Sequence, residues 1–150
     1  MEEVKAAVIT AGMQENTDYQ VSTEEGITGL VINATQVAGY DTAASYLFVD
    51  DQLAAGLYPV DFPDSDYSTL QSKYCAVYGD PVIDQESTGW GPCSLWIDQN
   101  GNFVFLSHMC GILYGTPDSS IIDLYSTGIS EFHGIDLSAE ISKFTNTDGI

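Results

Sequence analysis

The strongest constraint on this chain is its series of short apolar runs separated by turn signals. "YDTAASYLFV" (40–49), then Asp50-Asp51, then "QLAAGLYPV" (52–60) reads as strand, turn and returning strand. Tyr46 and Phe48 alternate with Ser45, Leu47 and Val49, which makes one strand face aromatic and the other mixed. Pro59 cannot donate to a ladder, so the second run ends there or lies at an edge. "ITGLVINA" (27–34) is a shorter strand upstream. Further on come "CSLWIDQNGNFVFLSHMC" (93–110), "GILYGT" and "SSIIDLYS". Asn100-Gly101 is a hairpin-turn signal between two apolar runs, and Thr116-Pro117-Asp118-Ser119 is a second turn. A three-stranded antiparallel meander is expected there.

Helical patterning occurs between and around these runs. Over 66–78, Tyr67, Leu70, Tyr74, Val77 and Tyr78 form one apolar stripe. Asp64 or Ser65 would cap that helix, Gly79 would end it, and Pro81 prevents continuation. Residues 1–12 read as an opening helix with Glu2 and Glu3 in its first turn and Gly12 as its stop. Residues 13–26 read as loop or a short second helix. The tail, 128–150, holds a further short helix over 136–144 with Asp136 as cap. The class is therefore α+β: antiparallel β-sheet with helices packed on one face. At 150 residues the chain fits a single domain. Its order suggests two similar α–β halves, 1–62 and 63–127, each a helix plus strands.

Charge excludes whole classes of partner. There are 22 acidic residues against three lysines (Lys5, Lys73, Lys143), no arginine, and a net charge of −19. Neutralising a phosphate backbone requires Lys and Arg, so nucleic acid is excluded as a partner, and anionic membrane surfaces are disfavoured. No guanidinium is present to grip a phosphate or carboxylate. Such acidity suits a solvated surface on a secreted protein, or one that docks on a basic partner. With 44% hydrophobic residues the chain has enough for a core, yet no run reaches the roughly 18 residues of a membrane span. The start, MEEVKAAVIT, lacks the basic n-region and long apolar h-region of a secretory signal.

Several stretches carry a family resemblance. They are "MEEVKAA" (1–7), "VAGYDTAASYLFVDDQLAAGLY" (37–58), "DYSTLQSKYCAVYGDP" (66–81) and, as a late strand, "TPDSSIIDL" (116–124). Together, over residues 1–127, they resemble the extracellular domains of uncharacterised lipoproteins from Gram-positive gut bacteria. The fold of that group is similar to the β-lactamase-inhibitor-protein and outer-membrane-assembly lipoprotein (SmpA/OmlA) type. The resemblance implies a sheet with helices on one face, located in the cell envelope or outside the cell, and a lipid anchor on the native precursor would fit. It transfers no catalytic residues.

Candidate chemistry centres on Cys93, His108 and Cys110. A two-residue turn at Asn100-Gly101 would set Cys93 opposite His108, and a four-residue loop would set it opposite Leu106. In either register the three are expected on one face. They would supply three of the four ligands of a zinc site, with His133 as a fourth, but no C-x₂-C pair is present. A Cys–His nucleophile or a diagonal Cys93–Cys110 disulfide are alternatives. The plainer reading, small apolar core residues beside a rim histidine, is preferred. The three cysteines (Cys75 is the third) exclude a fully paired disulfide framework within one chain. Asp98, Asn100 and Asn102 imitate the start of a calcium loop, but Phe103 and Met109 occupy the positions that need Gly and Glu. Asp50-Asp51, Asp61/Asp64/Asp66 and Asp80/Asp84/Glu86 lie where turns and caps expect Asp. Asn33-Ala34-Thr35 fits a glycosylation sequon that a bacterial protein would not use.

No catalytic, cofactor-binding or metal residue is assigned. The aromatics offer the better candidates: Tyr40, Tyr46, Tyr58, Trp90 and Trp96 would line a sheet face and bind a peptide or sugar. The leading expectation is a non-enzymatic ligand- or protein-binding domain, structural in character, of a cell-envelope or secreted protein. The alternative is an acidic inhibitor or immunity-type protein that neutralises a basic partner. A hydrolase using scattered carboxylates is a weaker third.

Overall fold

The structure is a computed structural model and describes residues 18–24, 26–37, 39–85 and 91–145. The opening helix expected at 1–12 lies outside the described residues. The chain divides into two compact units between Pro59 and Val60.

The first unit contains four strands in an antiparallel meander: β1 (Tyr19–Glu24), β2 (Ile27–Val37), β3 (Tyr40–Val49) and β4 (Gln52–Tyr58). Residues 19–24, expected as loop or helix, are a strand. Tyr19 and Val21 alternate with Gln20 and Ser22, and that period of two outweighs the polar composition. Every hairpin has a two-residue loop, closing Glu24 on Ile27, Val37 on Tyr40 and Val49 on Gln52. In the last, Asp50 and Asp51 both take positive φ, 51° and 63°, the left-handed pair that a type I′ turn needs. The core of this unit is Tyr19, Leu30 and Phe48, packed with Val21, Ile32 and Tyr46. All six fall on one sheet face by register. Irregularities near Ile32–Thr35 in β2 and at Leu47/Phe48 against β4 bend the ladder.

The second unit runs α1 (Asp64–Tyr78), β5 (Ile83–Gln85), β6 (Cys93–Ile97), β7 (Phe103–Ser107), β8 (Gly111–Gly115), α2 (Ser119–His133) and α3 (Leu137–Thr145). The expected helix at 66–78 begins at Asp64, with Pro63 as N-cap and no side-chain cap. Gly79, at φ 83°, returns its N–H to the Cys75 carbonyl. β5 to β8 pair antiparallel in chain order, with Leu95 between Ile83 and Phe105 and Phe105 between Leu95 and Leu113. "SSIIDLYS" is the first half of a helix, not a strand. Asp118 accepts a hydrogen bond from Ser120 N–H at 2.9 Å, and Ile121, Tyr125, Ile129 and His133 repeat every fourth residue. The tail helix appears as expected, with Asp136 accepting from Ala139 N–H at 3.1 Å.

The α+β class holds: eight strands, antiparallel within each unit, and three helices among the described residues. Within the second unit, however, helices cover both sheet faces rather than one. α1 reaches the face of Ser94, Trp96 and Tyr114, whereas His133 of α2 meets Phe105 and Ser107 on the other. That explains why β6 and β7 are buried at every position.

Candidate functional site

The β6–β7 hairpin decides the fate of Cys93 and His108. Its loop is five residues long, 98–102, so Cys93 pairs with Ser107 and neither expected register occurs. Asp98 is the reason. Its Oδ1 accepts the N–H groups of Asn100 (2.8 Å) and Asn102 (3.0 Å), and its Oδ2 accepts the Asn102 side-chain amide at 3.1 Å. The turn therefore starts at Asp98, with Gly101 in the left-handed region at φ 85°. His108 and Cys110 lie in the following turn, 108–110. Alternation sends Cys93 and His108 to opposite faces. The His108 ring lies 6.4 Å from that of Tyr67, on the α1 side, while Cys93 lies fully buried with its thiol 3.7 Å from Gln85 Oε1. Burial, with Asp84 nearby, pushes the Cys93 thiol up to about 12, far from a nucleophile's range. All three cysteines are free thiols, and no group of three or more His, Cys, Asp or Glu side chains converges among the described residues.

On the Cys93 face, away from α1, Ser107 Oγ lies 3.2 Å from His133 Nε2 and also accepts the Cys110 N–H at 3.2 Å. A serine and a histidine at this distance suggest a nucleophile and its base. Here Ser107 is fully buried and His133 is 5% exposed, with Nδ1 finding no partner among the described residues. Burial depresses the His133 pKa, which keeps the ring neutral. The pair ties the end of α2 and the 107–110 turn to the sheet.

Among the described residues, the aromatics singled out in the sequence fall in different units. Tyr46 and Tyr58 meet in the first unit, hydroxyls 2.8 Å apart and rings edge-on at 6.0 Å. Burial and the Tyr58 hydroxyl raise the Tyr46 pKa above the ordinary phenol value. Gly56, opposite Tyr46, leaves room for both rings. Tyr40 is on the same face of β3, paired with Val37. Trp96 belongs to the second unit and is 4% exposed, its indole N–H donating to the Gly79 carbonyl at 3.0 Å; it is core, not a ligand surface. Trp90 lies outside the described residues.

The more informative surface is one that the sequence reading passed over. α1 is fixed to its sheet by polar contacts along its length. Tyr67 bonds Ser94 at 2.7 Å, Gln71 donates to both Ser94 Oγ and Asp84 Oδ1 at 2.9 Å, and the Tyr74 and Tyr114 hydroxyls meet at 2.6 Å. From the buried Trp96, rings then step outward: Tyr74 at 5.5 Å, and Tyr78 stacked on Tyr74 at 5.9 Å and 22°. Tyr78 is 49% exposed, with Val77 at 73% and Val82 at 38% beside it in sequence. The segment below is also fixed, Gly79 by Cys75 and Trp96 and Val82 by its N–H to Leu95 at 2.8 Å. The result is an exposed tyrosine on a braced base, with exposed valines on either side of it in the chain. No family model, curated protein or solved structure matches this chain.

Proposed function

We propose that this chain is a non-enzymatic binding domain of a cell-envelope or secreted protein, and that the Val77–Tyr78–Val82 patch is its contact surface. The observation that carries this reading is the stacked Tyr74–Tyr78 pair. An exposed tyrosine braced by a half-buried ring loses little conformational entropy when a partner covers it, as interface anchors require. The net charge of −19 supports a setting in which solubility matters, and the resemblance of residues 1–127 to envelope lipoprotein domains supports a location outside the cytoplasm. The buried Cys93 thiol and the sealed Ser107–His133 pair are better suited to structure than to catalysis.

The test is capture from the extracellular fraction of the source organism on immobilised wild type and Tyr78→Ala, at low and high salt. A partner retained by wild type and lost by the variant is expected. Equal retention by both would remove the patch from the binding surface.

A further inference from the structure

Which chemistry would this patch recognise? We infer that it receives a cationic polypeptide segment, an arginine or lysine followed by an aliphatic residue, with the cation on Tyr78. The inference rests on the binding-domain reading above and names its partner class.

Four observations lead there. One ring face of Tyr78 is covered by Tyr74, and the residue is still 49% exposed, so the remainder of the ring is available to a cation. Asp80, exposed, follows Tyr78 by two residues, and among the described residues the one lysine near it in sequence is Lys73 on α1. Gly79 has open space where a Cβ would stand, so no side chain crowds the backbone between Tyr78 and Asp80. Exposed Val77 and Val82 flank these groups in the chain and suit an aliphatic side chain. The whole-chain charge of −19 then acts at longer range, concentrating basic partners and repelling acidic ones. A neutral sugar would use the ring but would gain nothing from that field. The geometry and the charge therefore favour a cationic peptide over a carbohydrate.

The experiment uses the full chain and a defined probe, the peptide acetyl-Gly-Arg-Leu-Arg-Leu-Gly-amide, followed by amide chemical shifts. Its citrulline counterpart keeps the shape without the charge, and chitotriose probes the sugar alternative. Saturable shifts concentrated at residues 77–82 are expected with the arginine peptide. Tyr78→Ala should weaken binding about 2- to 30-fold, the range of a cation–ring contact. Tyr78→Phe should retain it, Asp80→Asn should weaken it less, and Leu124→Ala, an exposed change on α2, should leave it unchanged. Binding should fade at 1 M salt, where screening acts over about 3 Å. Equal binding of the citrulline peptide, shifts scattered over the surface with no effect of Tyr78→Ala, or chitotriose binding at 77–82 in place of the peptide would each overturn the inference. If native capture depends on Tyr78 but persists at 1 M salt, the patch is a contact surface and only its cationic specificity fails. If capture ignores Tyr78, the broader reading fails with it.

Discussion

Substituting Gly115 by alanine would test the β7–β8 register and the packing of the second unit in one step. Gly115 sits opposite Phe103. A Cβ at Gly115 would stand 2.3 Å and 2.5 Å from Phe103 Cζ and Cε1, far inside the roughly 3.5–4.0 Å of an ordinary carbon contact. Phe103 is 2% exposed, so its ring must retreat by about an ångström into neighbours that are themselves packed. Overpacking of this kind costs about 1–3 kcal/mol. Against that, alanine in a strand regains about 0.5–1 kcal/mol of the entropy a glycine loses on folding. The clash wins, and Gly115→Ala should destabilise by about 1–2 kcal/mol, lowering Tm by roughly 2–8 °C in a chain of this size. Phe103→Leu alone should cost about 1–2 kcal/mol, from lost apolar burial. The double variant is the decisive measurement. Leucine vacates the ring position, so the two changes together should cost less than their sum by about 1 kcal/mol. Urea unfolding followed by tryptophan fluorescence, with the m-value held constant across the set, gives all three numbers. Additive losses, or a neutral Gly115→Ala, would refute the pairing of Phe103 with Gly115.

Other expectations follow from the same contacts. Asp50→Gly should stabilise by about 0.5 kcal/mol, because φ 51° is strained for a side chain and free for glycine; calorimetry showing a lower Tm would contradict the type I′ turn. In native protein at pH 8 a disulfide reagent should react with the partly exposed Cys75 and Cys110 and leave Cys93, buried with its thiol pushed up to about 12, until denaturant is added; three equal rates would place Cys93 at the surface. For His133, burial lowers the folded pKa below the unfolded 6.5, so the unfolded chain binds the proton first. Stability present above about pH 6.5 is therefore lost as pH falls from there through the folded pKa. His133→Gln should flatten that part of the stability profile relative to wild type, and an unchanged slope would show that another group sets it.

Much of the architecture was legible because local chemistry and tertiary packing agreed. β3 has the bounds its alternation gives, Asp50-Asp51 turns where two consecutive acids allow left-handed φ, and Asp136 caps α3 as an N-terminal aspartate should. The failures have equally local causes. Ile121 and Ile122 are β-branched and favour strands, which masked the four-residue repeat running to His133. Asn100-Gly101 is a strong turn pair, yet the Asp98 carboxylate moved the turn forward and changed the register by one. That single residue decides the chemistry of "CSLWIDQNGNFVFLSHMC", because a shift of one sends Cys93 and His108 to opposite faces.

The candidate site was hidden for a different reason. The stripe Tyr67, Leu70, Tyr74, Val77, Tyr78 is uniform in sequence and reads as core from end to end. In the structure its burial decays along the helix: Tyr67 is 3% exposed, Tyr74 is half-buried, Tyr78 is 49% exposed and Val77 73%. The sheet beneath supplies Ser94 for the first turns and Trp96 and Tyr114 for the middle, and at the helix end Trp96 holds only the Gly79 backbone, leaving the Val77 and Tyr78 side chains largely exposed. Periodicity reports which residues share a face, but the extent of the opposing sheet decides how much of that face is covered. An apolar stripe longer than its cover leaves large side chains in water, which costs solubility and stability unless something else covers them. Shortening the stripe should therefore be harmless to the fold. Val77→Lys with Tyr78→Lys, at positions already 73% and 49% exposed, should change unfolding free energy by no more than about 1 kcal/mol. The same pair should abolish partner capture, through loss of the ring and reversal of local charge. A loss of several kcal/mol in the unfolding free energy from urea denaturation would instead mean that these residues complete the core and are not a contact surface.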